Sequence, residues 1–308
     1  MRRYLNGIHH VGFVEIEAWE PRCWINIESP EQSDYDFLAS LNIPHSFIES
    51  VNDPDERPRM EHDNGWLLTV IRIPVATADD DNVPFITVPM GIISKEDIIV
   101  TICNSITEMV PDFIDHTHRR EISVDGIADF ILRLIYSSTY WFLQDLKIIN
   151  EDFTRAGKVL RKSIKNDDLI GLMDIQKTLV YFNTSIKGNE VLLERVQHAF
   201  EEDFDGELLE NIEVEIKQAA NTIDVYTEIL SAMMDSYASI ISNNVNDIMK
   251  KMTGVSVVLM FPTLIASFYG MNVAMDYTQN AWAFWVIVIG SVTLAVILYF
   301  VLRKIRWL

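Results

Sequence analysis

Two long apolar runs near the end of the chain constrain the fold more than any other feature of the sequence. Residues 252–269 and residues 281–302 contain no charged side chain. A helix needs about 20 apolar residues to cross the hydrocarbon core of a bilayer. Two buried core helices are the alternative. Consecutive runs of this length with basic residues at their outer ends favour two membrane-spanning helices.

The basic residues around these runs predict how the helices are oriented. They precede the first run and follow the second, at Lys250, Lys251, Arg303, Lys304 and Arg306, while the connection 270–280 has no lysine or arginine. Basic residues remain on the cytoplasmic side of a membrane. We therefore expect a multi-pass protein of the cell (inner) membrane, with both ends of the hairpin in the cytoplasm and the connection outside.

The rest of the chain is strongly acidic. The net charge is −20, yet residues 250–308 carry five basic side chains and a single acidic one, Asp276. An acidic body argues against binding to nucleic-acid phosphates and suits a protein that attracts cations. The two cysteines, Cys23 and Cys103, form no disulfide framework and no zinc-ligand spacing, which is typical of a reducing compartment.

The first 249 residues divide into two textures. Residues 1–134 contain short β-rich runs separated by turn signals, together with one helical segment, which predicts a mixed α/β domain. From residue 127 to residue 249 there is no proline, and apolar residues recur at helical spacing, which predicts long helices with turns near 164–168 and 203–206. The acidic stretch 194–215 is either a solvated helix face or a partner for divalent cations or for the basic tail.

One stripe of residues runs along the last helix before and through the first apolar run. No glycine or proline interrupts residues 221–253, so this helix is expected to continue into the membrane. The polar stripe, defined by small, polar and sulfur-bearing residues spaced to lie on one helix face, comprises Asp235, Ser242, Asn246, Met249, Thr253, Ser256, Met260, Thr263 and Ser267. Polar groups are costly in hydrocarbon unless they face a partner or water.

Two interpretations of the polar stripe remain open. Its small residues could let helices pack closely, or the stripe could line a narrow aqueous path. One hairpin cannot enclose such a path, so the second interpretation requires several copies of the chain around an axis. The extension of the stripe to Asp235, well outside the membrane, favours the aqueous path.

Several segments resemble the CorA family of magnesium transporters. The run Tyr269-Gly270-Met271-Asn272 matches the family signature YGMN at the end of the first membrane helix. The segment "NNVNDIMKKMTGVSVVLMFPTLIASFYGMN", the basic tail "LRKIRWL" and the earlier "WINI" and "DERPRMEHDNGWLLTVIRIP" are also similar to family sequence. The resemblance is strongest over residues 235–308.

The resemblance implies an α+β membrane protein that assembles as a homopentameric funnel. The implied parts are a cytoplasmic α/β/α domain (1–134), helical hairpins and a stalk helix (135–251), a pore-lining first membrane helix (252–269), an extracellular Gly-Met-Asn loop (270–280), a second membrane helix (281–302) and a basic cytoplasmic tail (303–308). It also implies uptake of Mg²⁺, with Co²⁺ and Ni²⁺ as further candidates. No organic cofactor and no enzymatic activity are expected.

The resemblance assigns roles to individual residues. Asn272 would present carbonyl oxygens to an incoming hydrated ion, beside Met271, and Gly270 would permit a tight turn. Constrictions are implied at Met249, Met252 and Met260, polar stations at Asn246 and Thr263, and an acidic ring at Asp235; Ser242 and Ser256 belong to the same pore-lining set. Regulatory Mg²⁺ would be held between subunits by Asp79, Asp80, Asp81, Glu210 and Glu213, although Asn211 occupies the matching helix position where the family has an acid.

Other functions are less well supported by the sequence. There is no phosphate-binding glycine loop and no nucleophile with a base, which argues against an ATP-driven pump. The pairs His9-His10 and His116-x-His118 lack a third metal ligand. One remaining alternative is a zinc transporter of the same superfamily, although Met271 favours magnesium. The other is a membrane-tethered signalling or scaffold protein, which would need no polar stripe.

Overall fold

The computed structural model describes residues 1–8, 11–77, 83–160, 166–200, 206–271, 281–305 and 307. The chain divides into two compact units, residues 1–232 and residues 233–308.

The first unit is built on a seven-stranded sheet. Its strands are β1 Arg2–Asn6, β2 Val14–Ile16, β3 Trp24–Glu28, β4 Arg59–Asp63, β5 Trp66–Ala76, β6 Phe85–Lys95 and β7 Ile98–Cys103. They lie in the order β2-β1-β3-β7-β6-β5-β4. β3 and β7 are parallel, with Trp24 opposite Ile99, and the other described pairs are antiparallel.

The described part of the chain contains seven helices. They are α1 Gln32–Ser40, α2 His45–Asn52, α3 Met109–Arg119, α4 Ile127–Leu160, α5 Asn166–Ala199, α6 Gly206–Tyr269 and α7 Ala281–Lys304. α6 is one helix of 64 residues, which confirms that the last helix of the acidic region continues into the first apolar run.

Helices cover both faces of the sheet, and its central strands are buried and mainly apolar. On one face Ile25 and Ile27 of β3 pack with Leu38 of α1 and Phe47 of α2. On the other, Trp24 of the same strand packs edge-on against Phe130 of α4, with ring centroids 5.1 Å apart. Side chains alternate between the faces of a strand, and the architecture is the predicted α/β/α arrangement.

A buried polar contact fixes α4 and α5 to β5. The Arg72 backbone N–H donates to Asn189 Oδ1 at 2.9 Å, and Asn189 Nδ2 donates to Arg72 O at 2.8 Å. Ser138 Oγ donates to the same carbonyl at 2.9 Å. Because these polar groups satisfy one another, their burial carries no penalty for an unpaired donor or acceptor.

Some boundaries differ from those expected. The β-rich runs predicted from the sequence, "HHVGFVEI", "CWINI", "GWLLTVIRIPV", "PFITVPMGIIS" and "DIIVTI", correspond to β2, β3, β5, β6 and β7. The predicted helical segment "SPEQSDYDFLASLN" corresponds to α1, but β1, β4, α2 and α3 were missed. The boundary expected at residue 134 lies inside α4. The turn expected near 164–168 falls partly outside the described residues and partly on the first residues of α5, and the turn expected near 203–206 lies mostly outside them.

Candidate functional site

The polar stripe lies on the side of α6 that the protomer leaves uncovered. Its residues are exposed, and its two methionines, Met249 and Met260, each expose 57% of their surface. Met252, which is not part of the stripe, exposes 63%. Exposed members also include Asp235, Ser242, Asn246, Ser256 and Thr263. The covered side of the helix carries buried Gly254 and half-buried Val257 and Val258. Each residue of an α-helix is rotated by about 100° from the one before it, which places Gly254 and Val258 roughly opposite the stripe.

Some apolar neighbours of the stripe are exposed as well. Val255 and Leu259, expected on the faces away from the stripe, flank it and expose 50% and 63% of their surface. The protomer therefore covers one narrow side of this helix only. Another copy, lipid or water must cover the rest.

Two hydroxyl groups of the stripe, those of Ser256 and Thr263, donate their hydrogens within α6. Ser256 Oγ donates to the carbonyl of Met252 at 2.9 Å, and Thr263 Oγ1 donates to the carbonyl of Leu259 at 2.9 Å. A hydroxyl has one hydrogen and two lone pairs. The hydrogen is occupied within the helix, so each oxygen offers an acceptor to whatever lies beside it. Acceptors suit the outward-pointing hydrogens of water bound to a cation.

The end of α6 shows less need for glycine than the resemblance implied. The Gly270 N–H donates to Ala266 O at 3.0 Å and to Ser267 O at 3.2 Å, which completes the last helical turn. A Cβ at Gly270 would meet only these two carbonyl oxygens, at 3.4 and 3.5 Å, and the residue does not have a positive φ. Met271 exposes 55% of its surface. Asn272 lies outside the described residues.

The expected regulatory residues are described only in part. Asp79, Asp80 and Asp81 lie outside the described residues. Glu210 is exposed, and Glu213 pairs with Lys217 one turn along α6, at 3.3 Å. Within the described part of the chain, no three histidine, cysteine, aspartate or glutamate side chains come together to hold a metal ion.

A cleft in the first unit was not anticipated from the sequence. It has a volume of about 760 Å³ and lies between α3, α4 and the first turns of α6. Arg119, Arg120 and Arg133 line it, and so do His116 and Asn211. The consecutive arginines in a strongly acidic chain were the available signal, but their partners come from helices far apart in sequence.

A buried carboxyl group on α4 was also missed. Asp145 exposes 5% of its surface. Burial, with a smaller contribution from Glu108, raises the pKa of this carboxyl to about 7. Removal from water disfavours the charged form of an acid, so Asp145 retains its proton to a higher pH than an exposed aspartate does.

The two long apolar helices are not core helices. The most apolar windows of the helices Gly206–Tyr269 and Trp282–Lys304 have mean hydropathies of 1.6 and 2.6, and only 6% of each window is buried. Trp282 and Trp285, near the start of α7, expose 60% and 63% of their surface. Length, composition and exposure together are those of helices that cross a membrane.

Family comparison identifies the class of protein. A family model described as CorA-like Mg²⁺ transporter protein matches residues 20–304. The chain belongs to the CorA family. The resemblance found in the sequence is confirmed over almost the whole chain, and CorA proteins are membrane transporters rather than enzymes.

One CorA protein matches the chain along most of its length. The chain is 24% identical over 293 residues to the cobalt/magnesium transport protein CorA of Methanocaldococcus jannaschii, covering 92% of this chain and 91% of that protein. The complete solved structure of the CorA magnesium transporter from that organism superimposes with a TM-score of 0.80 at 22% identity, covering 100% of this chain and 99% of the other. The predicted order of an α/β domain, a long helix and two C-terminal apolar helices is confirmed.

A further solved structure shares the fold alone. The cytoplasmic domain of ZntB from Vibrio parahaemolyticus superimposes with a TM-score of 0.60 at 11% identity, covering 78% of this chain and 98% of that domain. Identity this low carries no information about the transported ion.

Proposed function

We propose that the chain assembles as a homopentamer around a water-filled axis and carries Mg²⁺ into the cell down its electrochemical gradient. The observation that carries the proposal is the polar stripe, which lies uncovered along one continuous helix and offers hydroxyl oxygens as acceptors. A single hairpin cannot surround water, so copies of α6 must enclose the path. A divalent ion gains about 4.6 kcal/mol from 100 mV, at ~2.3 kcal/mol per charge.

Selection of the ion is proposed at the outer end of α6. Mg²⁺ loses its water reluctantly and prefers to keep several waters. A ring of Asn272 side-chain carbonyls, with Gly270 and Met271 beside it, would bind those waters without removing them. Neutral oxygens hold the ion weakly enough for release, whereas a ring of carboxylates would retain it. Co²⁺ and Ni²⁺ are further candidate ions.

Below this ring the stripe contains both polar and sulfur-bearing residues. Asn246 and Thr263 are proposed stations for the hydrated ion, with Ser242 and Ser256 adding oxygens and Asp235 a carboxylate. Rings of Met249, Met252 and Met260 would form apolar constrictions, which stop conduction by excluding water. Their thioethers are exposed in the protomer, as such rings require.

The charge pattern supports a location in the cell (inner) membrane, with both ends of the hairpin in the cytoplasm. Arg303 and Lys304 close α7, and Lys250 precedes the apolar part of α6. In this orientation the Asn272 ring meets external Mg²⁺ first. The inward-negative membrane potential then draws the ion towards Asp235.

Ion flux into liposomes tests the proposal. Purified full-length chain is reconstituted and Mg²⁺ influx is followed with an enclosed indicator under an imposed inside-negative potential. We expect influx that increases with the potential, and Asn272→Ala should lower it and weaken its preference for Mg²⁺ over Zn²⁺. No influx at any potential would favour a scaffold, and faster Zn²⁺ than Mg²⁺ influx would favour a zinc transporter.

Cysteine accessibility tests which face of α6 meets water. Ser256→Cys and Thr263→Cys should react with a membrane-impermeant thiol reagent, whereas Val258→Cys, on the opposite face, should react only with a lipid-soluble one. The native cysteines need not be removed, because Cys23 and Cys103 expose 2% and 1% of their surface. Burial raises the pKa of Cys103 to about 12 and also raises that of Cys23, so neither thiolate forms readily.

Regulation by cytoplasmic Mg²⁺ is proposed at Asp79, Asp80 and Asp81, with Glu210 and Glu213 as candidate partners on α6. Bound Mg²⁺ would clamp neighbouring subunits and close the path, a coupling between two sites. The triple change to Asn at 79–81 should make influx insensitive to Mg²⁺ inside the liposomes. Asp97→Asn, which removes an exposed carboxylate between β6 and β7, is the control. Unchanged inhibition in the triple variant would reject these ligands.

A further inference from the structure

The cleft between α3, α4 and α6 is lined mainly by positive charge, whereas the chain as a whole is negatively charged. Its lining contains three arginines, Arg119, Arg120 and Arg133, against one carboxylate, Asp112. The whole chain has a net charge of −20. The volume of about 760 Å³ falls within the range of roughly 300–1,000 Å³ that small-molecule sites occupy. A concave basic site in an acidic protein has the electrostatics of an anion site.

The guanidinium groups are only partly used within the protein. Arg120 makes no ion pair in the described residues. Arg119 Nη2 lies 3.7 Å from Asp112 Oδ1, and both side chains are well exposed, at 70% and 36%, which is a weak pair. Arg133 is held from one side, since its Nε lies 2.8 Å from Asp129 Oδ1. Neither of its Nη groups has an acceptor among the described residues, so both can bind another one.

The α4 wall of the cleft changes character along its length. Arg133, Tyr136, Ser137 and Tyr140 all line the cleft and follow the i, i+3, i+4, i+7 spacing of one helix face, over about 10 Å of helix axis. Tyr140 exposes 45% of its surface. Burial, with smaller contributions from Glu215 and Tyr140, raises the pKa of Tyr136, so its phenol remains a hydrogen-bond donor. Cations thus stand at one end of this wall and flat aromatic rings at the other.

We propose that this cleft binds a nucleoside polyphosphate, with its phosphates on the three arginines and its base against the tyrosines. Guanidinium groups bind phosphate oxygens in bidentate fashion, and aromatic faces stack on bases of any sequence. Inorganic polyphosphates share the anionic chemistry but lack the base. The site binds without hydrolysing, and its occupancy does not depend on the transport proposal.

Competition binding tests the inference on the full-length protein in detergent at about 150 mM salt, where screening suppresses non-specific attraction. A fluorescent ATP analogue is displaced by ATP, tripolyphosphate, orthophosphate or adenosine. We expect ATP to compete best and tripolyphosphate more weakly, with no competition from orthophosphate or adenosine at the same concentrations. Arg120→Gln and Arg133→Gln should each weaken ATP about tenfold or more, the effect of losing a charge-assisted hydrogen bond.

Matched variants separate the parts of the site. Tyr140→Ala should weaken ATP by several-fold and leave tripolyphosphate unchanged. Arg155→Gln removes an exposed arginine further along α4 and should change neither affinity. Unchanged melting temperature in Arg120→Gln would exclude loss of fold as the cause.

Any of four results would overturn the inference. The first is no saturable displacement by millimolar ATP, and the second is equal loss of affinity in Arg155→Gln and Arg120→Gln. The third is a changed oligomer mass in Arg120→Gln without any nucleotide binding, which would assign the cleft to an acidic segment of another copy. Equal affinity for ATP and tripolyphosphate, unaffected by Tyr140→Ala, would reject the nucleoside.

Discussion

Strand β5 and helix α7 are both strongly apolar, yet different surroundings cover them. In β5 the side chains of Leu68, Val70 and Ile71 are 0% exposed, because helices lie on both faces of the sheet. In α7 the side chains of Phe284 and Ile289 are 63% and 62% exposed. Burial of these side chains away from water therefore stabilises the folded first unit. The helix contributes its apolar surface to the bilayer instead, so the same residue types carry different energetic roles.

The largest expected effect is in the core of the first unit. Phe130→Ala removes a fully buried ring that contacts Phe13, Trp24 and Phe113, and we expect a loss of about 3–5 kcal/mol in the free energy of unfolding. Phe284→Ala on α7 is the matched change at an exposed ring and should cost below about 0.5 kcal/mol in detergent. Thermal unfolding followed by near-ultraviolet circular dichroism measures both, and similar losses would refute the comparison.

The next largest effect is a pH-dependent change in stability that comes from the buried carboxyl group of Asp145. The folded protein keeps a proton on Asp145, whose pKa is about 7, while the unfolded chain releases it above about pH 4. Because the folded state binds more protons in this window, stability falls as pH rises and the loss is complete above about pH 7. Asp145→Asn has no such proton and should be more stable than the parent by up to about 4 kcal/mol at pH 8.

Melting temperatures at pH 5 and pH 8 measure this difference. At pH 5 much of the advantage of Asp145→Asn should disappear, because the parent then retains most of its proton. Asp152→Asn, in the same helix at a side chain that is 37% exposed, provides the control. A pH slope unchanged by Asp145→Asn would show that the carboxyl does not hold its proton.

A smaller effect is expected where the spans themselves have buried positions. Among the described residues of the apolar runs 252–269 and 281–302, the buried ones are Gly254 and Ser291, small residues of the kind that allow helices to approach closely. Gly254→Leu should destabilise the protein by about 1–3 kcal/mol through overpacking. Val255→Leu, at the next and half-exposed position, should be nearly neutral. Heating in detergent followed by size-exclusion chromatography compares the two.

The smallest effect is expected at the end of α6. A Cβ at Gly270 meets only ordinary contacts within the protomer, so Gly270→Ala should change the melting temperature by the equivalent of less than about 0.5 kcal/mol. Mg²⁺ influx into liposomes is measured on the same preparation. Reduced influx with unchanged stability would assign the glycine to the approach of neighbouring copies, and a large loss of stability would contradict the geometry.

Much of the fold could be predicted from the sequence because its strongest patterns are long. The apolar runs, the uninterrupted helix before them and the two-sided apolar strands exceed what chance spacing produces, and each was found. β4 was missed because its sequence, Arg-Met-Glu-His-Asp, is polar. It is an edge strand whose Arg59 pairs with Glu61, and strand pairing rather than burial holds it in place.

The candidate sites differ in how far sequence could define them. The polar stripe lies on one helix, so its spacing alone placed its members on a common face. The basic cleft could not be found in this way, because Arg119, Arg133 and Asn211 come from three helices that only the fold brings together. The roles of Asn272 and of Asp79–Asp81 stay predictions, since these residues lie outside the described chain.

The inward bonding of Ser256 and Thr263 has a consequence for anions. A chloride ion needs hydrogens to replace those of its lost solvent, and these two oxygens have already committed theirs to the carbonyls one turn earlier. Chloride on this stretch would meet lone pairs only. A conduit lined in this manner would discriminate by the sign of charge even where no ionised side chain stands beside it.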